Sequence, residues 1–160
     1  MNPAAISVGI LSLGCPKNLV DSEVLLGFLE REGFHISLDV THCDVALVNT
    51  CAFVEDAYQE SLDMISELCT LKNEGHIRYL VVCGCLPQRY PEGLGEYMEA
   101  VDAYVGTGEI AAIGEIIRQA LNNERPRRVQ ARPYLYSHET LRLSIWVVPD
   151  FSSCPFSMTP

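Results

Sequence analysis

Three cysteines, Cys15, Cys51 and Cys85, each follow a short apolar run of the kind that forms a buried β-strand. The runs span residues 6–13, 45–48 and 79–82, and the thiols stand in Leu13-Gly14-Cys15-Pro16, Asn49-Thr50-Cys51-Ala52 and Cys83-Gly84-Cys85-Leu86. About one β–α unit separates each cysteine from the next, so they do not form a local metal knuckle. If the strands are parallel and adjacent, their C-terminal ends share one edge of the sheet, the edge where open α/β sheets place ligands. Three converging thiolates in a reducing compartment suit a soft metal centre, above all an iron–sulfur cluster with one iron left open. A four-iron cluster with four protein thiolates is closed and only transfers electrons; with three, the fourth iron can take an incoming sulfur or a substrate. Zinc accepts three thiolates plus water by the same logic, so the ligand set alone does not choose the metal. Spacing alone leaves unrelated turn cysteines as an equal alternative.

The other cysteines read as structural. Cys69 continues the apolar face of a long helix, Cys43 precedes a strand, and a buried free cysteine is ordinarily a small hydrophobe. Cys83 lies inside its strand two residues before Cys85, so alternation puts both on one face. Asn18 and Asn49 lie near two of the candidate ligands, where side-chain or backbone N–H groups could bond to cluster sulfur. No other constellation competes. Gly106-Thr107-Gly108 before a helix lacks the lysine and glycine spacing of a phosphate loop and reads as a tight turn. His35, His42, His76 and His138 show no metal-ligand spacing, and there is no nucleophile elbow.

The elements that must position the thiols alternate. Strands are predicted over residues 6–13, 34–38, 45–48, 79–83 and 103–105. Helices are predicted over 19–31, 54–71, 92–100 and 110–121, from apolar residues at helical spacing. Asn18 is placed to cap the first helix, with Asp21 favouring its N-terminal dipole, and Gly33 to stop it. Strands alternating with helices imply an α/β fold, a five-stranded, mainly parallel sheet with helices on both faces, a Rossmann-like or flavodoxin-like three-layer sandwich. Residues 123–133, with Arg125, Arg127, Arg128, Arg132 and two prolines, read as an exposed linker. Residues 134–160 show no assignable pattern, so the core is expected to end near Asn122.

Composition bounds the function. At 160 residues, 48% apolar and 20% charged, the chain fits one globular domain. Its seven cysteines lie in a core-forming pattern, which favours metal or redox chemistry over a disulfide framework. No apolar stretch approaches a bilayer span and the N-terminus lacks a basic signal region, so a cytoplasmic protein is expected. A formal net charge of −10 opposes gripping a phosphate backbone and favours a basic partner such as a ribosomal protein.

Residues 12–23 (SLGCPKNLVDSE) resemble the opening motif of the methylthiotransferases, radical S-adenosylmethionine (SAM) enzymes that insert sulfur. Residues 44–57 (DVALVNTCAFVEDA) resemble their second motif, residues 81–89 (VVCGCLPQR) their third, and residues 101–108 (VDAYVGTG) their last strand and turn. The likeness covers about residues 6–122, with four motifs in order. Cys15-Pro16-Lys17-Asn18 is similar to the branch that modifies ribosomal protein S12, whereas the transfer-RNA branch usually has Cys-Gln-Met-Asn. The resemblance implies that Cys15, Cys51 and Cys85 are the ligands of an auxiliary [4Fe-4S] cluster, whose open iron holds the sulfur that is methylated and delivered to an unactivated carbon. It implies S12, or the ribosome, as partner, and a methylthio group added to the β-carbon of an aspartate.

The family continues into a radical-SAM barrel opened by Cys-x-x-x-Cys-x-x-Cys and then a small β-domain, and neither pattern occurs here; the later cysteine is Cys154. The expected division is therefore a cluster-binding domain over 1–122, a linker over 123–143 toward an absent radical-SAM domain, and an unassigned tail over 144–160. A truncated or frameshifted copy, or a deliberately ended chain, accounts for it, and SAM cleavage is not expected from this chain alone. The alternatives are a non-catalytic docking module with vestigial cysteines and a fragment of the transfer-RNA branch, the latter disfavoured by Lys17 and the acidic charge.

Overall fold

Each apolar run between the helical segments becomes a strand in the computed structural model, which describes residues 6–92 and 99–129. In chain order the elements are β1 (Ser7–Ser12), α1 (Pro16–Arg31), β2 (His35–Ser37), β3 (Cys43–Thr50), α2 (Glu55–Asn73), β4 (Ile77–Gly84), α3 (Cys85–Arg89), β5 (Ala103–Gly106), a 3₁₀ turn (Thr107–Ala112), α4 (Ile113–Leu121) and β6 (Arg127–Arg128). The strands form one sheet in the order β2-β1-β3-β4-β5-β6, and every neighbouring pair is parallel. From β2 to β5 this is the flavodoxin-like order, whose switch point falls between β1 and β3.

The central strands are apolar on both sides because both faces are covered. On one face Val45, Leu47, Val81, Cys83 and Val105 pack with Val24, Leu25 and Leu29 of α1 and Ile113, Ile116 and Ile117 of α4. On the other, Ala46, Val48, Leu80 and Val82 pack with Ile65, Leu68 and Cys69 of α2. Alternate residues of one strand thus serve two cores, as the period of two requires. The three-layer α/β expectation is met.

The differences are local. A sixth strand, β6, lies within the stretch read as linker. Tyr104 N–H donates to Pro126 O at 3.0 Å, and Tyr104 and Val105 pair with Arg127 and Arg128. Arginines pair here because only the backbone enters the sheet, while Arg127 lies over the Tyr104 ring, 5.1 Å from its centroid. The first helix begins earlier than its apolar spacing suggests: Cys15 is the N-cap and Pro16 occupies the first turn, where its fixed φ is already helical. Asn18 is therefore inside α1 and does not cap it. β3 is also longer than its apolar run, since the strand takes in Cys43 and Asp44 before it and Asn49 and Thr50 after it. Most of the helix expected over 92–100, most of the 123–143 segment, and the 144–160 tail with Cys154 fall outside the described residues, as does His138.

Candidate metal centre

The register brings the three cysteine loops to one edge. Ser12 of β1 pairs with Asn49 of β3, which pairs with Cys83 of β4, and Thr50 then pairs with Gly84. Cys51 and Cys85 follow that last pair directly, and Cys15 follows β1 by three residues. The loops after β1 and β3 flank the switch point.

Two of the thiols are aimed by a preceding glycine. Gly14 has φ +88°, and a Cβ there would lie 2.9 Å from the Cys51 Sγ, so the first loop rests directly on the second cysteine. Gly84 has φ +98°, and a Cβ there would meet the Asn49 amide oxygen and sit 2.6 Å from Thr50 O. Both positions combine left-handed backbone with a close approach that leaves no room for a side chain. The Gly84 turn also separates neighbours that alternation would align. Cys83 is fully buried in the α1/α4 core, whereas Cys85 opens α3 and packs toward the α2 core. The expectation that both point to one face fails because Gly84 breaks the strand geometry between them.

Buried polar side chains fix these loops. The Asn18 amide nitrogen donates to Leu13 O at 2.9 Å and Thr50 O at 2.8 Å. The Asn49 amide donates to Asn18 O and to Ser22 Oγ, at 2.9 and 3.0 Å. The Thr50 hydroxyl donates to Cys83 O at 2.6 Å and accepts from Leu86 N–H at 3.3 Å. Ser61 of α2 brackets Cys51: its hydroxyl accepts the Cys51 N–H at 3.1 Å and donates to the Cys51 carbonyl at 2.8 Å. Arg89 donates to Ala52 O at 2.6 Å. Ser61 and the interloop role of Asn18 escape the sequence reading, although a signal exists. Asn18 and Ser22 share a stripe with Leu25 and Leu29, and Ser61 shares one with Leu68, so polar residues occupy core-facing positions.

Cys15 is exposed, Cys51 is buried and Cys85 lies between. Burial pushes the Cys85 thiol above its ordinary range; the Lys17 ammonium opposes that rise, and charge on Cys51 and Cys15 adds to it. Lys17 itself is held by Asp21 at 2.6 Å. The cysteines read as structural are so placed. Cys43 donates to Val40 O and Val45 O, at 3.3 and 3.1 Å, and burial raises the thiols of Cys43, Cys69 and Cys83.

Among the described residues, no three His, Cys, Asp or Glu side chains are already arranged to hold a metal ion. The Cys85 thiol instead faces the Asn18 amide oxygen, 3.9 Å away. The donor set nevertheless fits a soft metal: three thiols on adjoining loops, with Lys17 as the nearby cation, and backbone pressed close at Gly14 and Gly84. Two of the histidines said to lack ligand spacing, His42 and His76, meet at the opposite edge with ring centroids 5.0 Å apart, though in no metal-holding group of three.

Sheet order and loop chemistry define the class: a doubly wound α/β domain carrying three cysteines at its switch-point edge. A family profile described as "Uncharacterized protein family UPF0004" matches residues 7–106, and the chain belongs to that family. It is similar to proteins named ribosomal protein uS12 methylthiotransferase RimO. The one from Trichlorobacter lovleyi is 42% identical over 144 residues, covering 89% of this chain and 32% of the relative. That from Geobacter sulfurreducens is 43% identical over 141 residues (88% and 32%), and that from Desulforudis audaxviator 46% over 125 (78% and 28%). The chain thus spans about a third of the length of these curated relatives. These matches agree with the resemblance to a methylthiotransferase N-terminal domain of the S12 branch. Among the described residues, no helix is long and apolar enough to cross a membrane.

Proposed function

We propose that Cys15, Cys51 and Cys85 hold a [4Fe-4S] cluster, and that the chain is the cluster-bearing N-terminal part of a radical-SAM methylthiotransferase acting in the cytoplasm on ribosomal protein S12. The observation that carries this reading is the convergence of the three cysteine loops at the ends of adjacent parallel strands. When bound, such a cluster supplies an open iron at which sulfur can be held for transfer to an aspartate β-carbon. The chain's own residues prepare the place. Gly14 and Gly84 let the backbone approach closely, Ser61 fixes the Cys51 peptide, and Lys17 offsets thiolate charge. Residues 1–122, with β6 (Arg127–Arg128) completing their sheet, form the cluster-bearing unit, and the chain from there to residue 143 leads toward a radical-SAM portion, with 144–160 unassigned.

Reconstituted anaerobically with iron and sulfide, the chain should bind close to four irons with broad thiolate-to-iron absorption. Cys15→Ala, Cys51→Ala and Cys85→Ala should each abolish binding, whereas Cys69→Ala should retain it. Full iron content in all three single variants would overturn the assignment. Because residues 1–160 contain no Cys-x-x-x-Cys-x-x-Cys loop, the purified chain mixed with SAM and a reductant should form no 5′-deoxyadenosine above background. Robust SAM cleavage would overturn that part of the reading.

A docking module remains the second reading, favoured by one observation. Phe53 is 86% exposed and Val54 54%, immediately after Cys51 and Ala52. A chain that takes up no iron yet binds S12 through this segment would support it.

A further inference from the structure

The loops after β1 and β3 leave the sheet toward opposite faces, so the ladder cannot hold them together beyond the Leu13 N–H bond to Asn49 O, 2.9 Å. Beyond it, one side chain reaches all three cysteine loops. Asn18 is 1% exposed. Its amide nitrogen spans Leu13 O in the Cys15 loop and Thr50 O beside Cys51, and its amide oxygen faces the Cys85 thiol. We propose that Asn18 is the positioning residue that staples the three cysteine loops in register for cluster capture, an inference that rests on the cluster reading above.

The orientation of the amide follows from its partners. Both neighbours of the nitrogen are carbonyl acceptors, so the reversed amide would set its oxygen against two others. Both N–H bonds are therefore spent on the loops and none remains for sulfur, so among the donors named from the sequence the Asn18 side chain is already engaged. The oxygen accepts only from a protonated Cys85, and that contact is surrendered when the thiol becomes a ligand. The two loop bonds do not involve sulfur and persist through the change. Asn49 supports the staple from behind by donating to the Asn18 carbonyl. Aspartate has the same shape but offers oxygen to two carbonyls, so it should be worse than a simple deletion.

The test uses the full chain with Asn18→Ala and Asn18→Asp, beside Lys72→Met, which breaks the ion pair with Asp102 at the far edge of the sheet. Wild type and variants are loaded with iron and sulfide, and iron content, the electron paramagnetic resonance of the reduced cluster and apo-protein unfolding are recorded. Asn18→Ala should bind iron roughly 10- to 100-fold more weakly, as loss of supporting contacts does at other metal sites, with an altered resonance from what remains. Asn18→Asp should be weaker still, while Lys72→Met should load and resonate like wild type. Wild-type iron content and resonance in both Asn18 variants would overturn the staple, as would equal iron loss in Lys72→Met at matched stability. Amide exchange in the apo proteins separates the staple from the cluster reading. Asn18→Ala should speed exchange at Asn18, Cys51 and Leu86 together, one amide in or beside each loop. Faster exchange at Asn18 alone would overturn the staple whether or not iron binds. Coupled exchange in a wild type that takes no iron would overturn the cluster reading and leave the interloop tie standing.

Discussion

Where the strands end, most polar side chains that join the loops are uncharged and buried, Arg89 being the exception; where the strands begin, they are charged and partly in water. At the first edge, Asn18, Asn49, Thr50 and Ser61 are at most 1% exposed and bind backbone or one another. At the second, Asp44 accepts Ser7 N–H and Oγ–H at 3.0 and 2.8 Å and pairs with Arg78 at 3.4 Å. Lys72 pairs there with Asp102 at 2.5 Å and also donates to Ala100 O. The difference has a chemical sense. A lone carboxylate beside three thiols would oppose ionisation of each, whereas amides and hydroxyls tie loops without fixed charge. The carboxylate that does lie near the thiols, Asp21, carries its own cation in Lys17.

Paired glycines give the largest expected break in that comparison. Gly84→Ala at the thiol edge adds a Cβ against Thr50 O and Asn49 on left-handed backbone, and should cost about 3 kcal/mol with loss of iron binding. Gly75→Ala at the other edge has φ +83° but open space around it, and should cost about 1 kcal/mol with iron binding intact. Chemical denaturation with iron analysis distinguishes them; equal costs would mean that the thiol edge is no more tightly built than its opposite.

Lys72→Met should be smaller, about 1–2 kcal/mol, because Asp102 keeps the Leu80 N–H bond at 2.7 Å after losing its cation. A loss of iron in this variant would erase the distinction between the edges. Smallest is the effect at Asp44, whose carboxyl is held below the usual range first by Ser7 N–H, then by the Ser7 hydroxyl and Arg78. Its contribution is present above the unfolded carboxyl value of about 3.9 and is lost as pH falls through the lower folded value. Asp44→Asn should therefore be less stable than wild type near neutrality, with the gap closing in acid. A gap independent of pH would assign the effect to packing instead of charge.

Much of this was legible in the chain because period and run length carry it. The apolar runs around residues 45–48 and 79–83 have the shortness and continuity of strands buried on both faces, and β3 and β4 are that. The extra turn at the start of α1 was obscured because Pro16 and Lys17 break the apolar spacing while suiting a first helical turn. β6 was hidden because two arginines contribute only backbone to the sheet. The histidine pair was invisible for a different reason: His42 and His76 immediately precede neighbouring strands and meet only across the register.

The sequence by itself determined the alternating elements, the family and the three cysteines just past strand ends, since these depend on residue type and local spacing. Tertiary structure alone decided that the loops meet at a switch point, that Cys83 and Cys85 part to different cores, and that Asn18 joins rather than caps. Those outcomes depend on strand order and on hydrogen bonds between residues 5 to 67 positions apart, which no local pattern encodes.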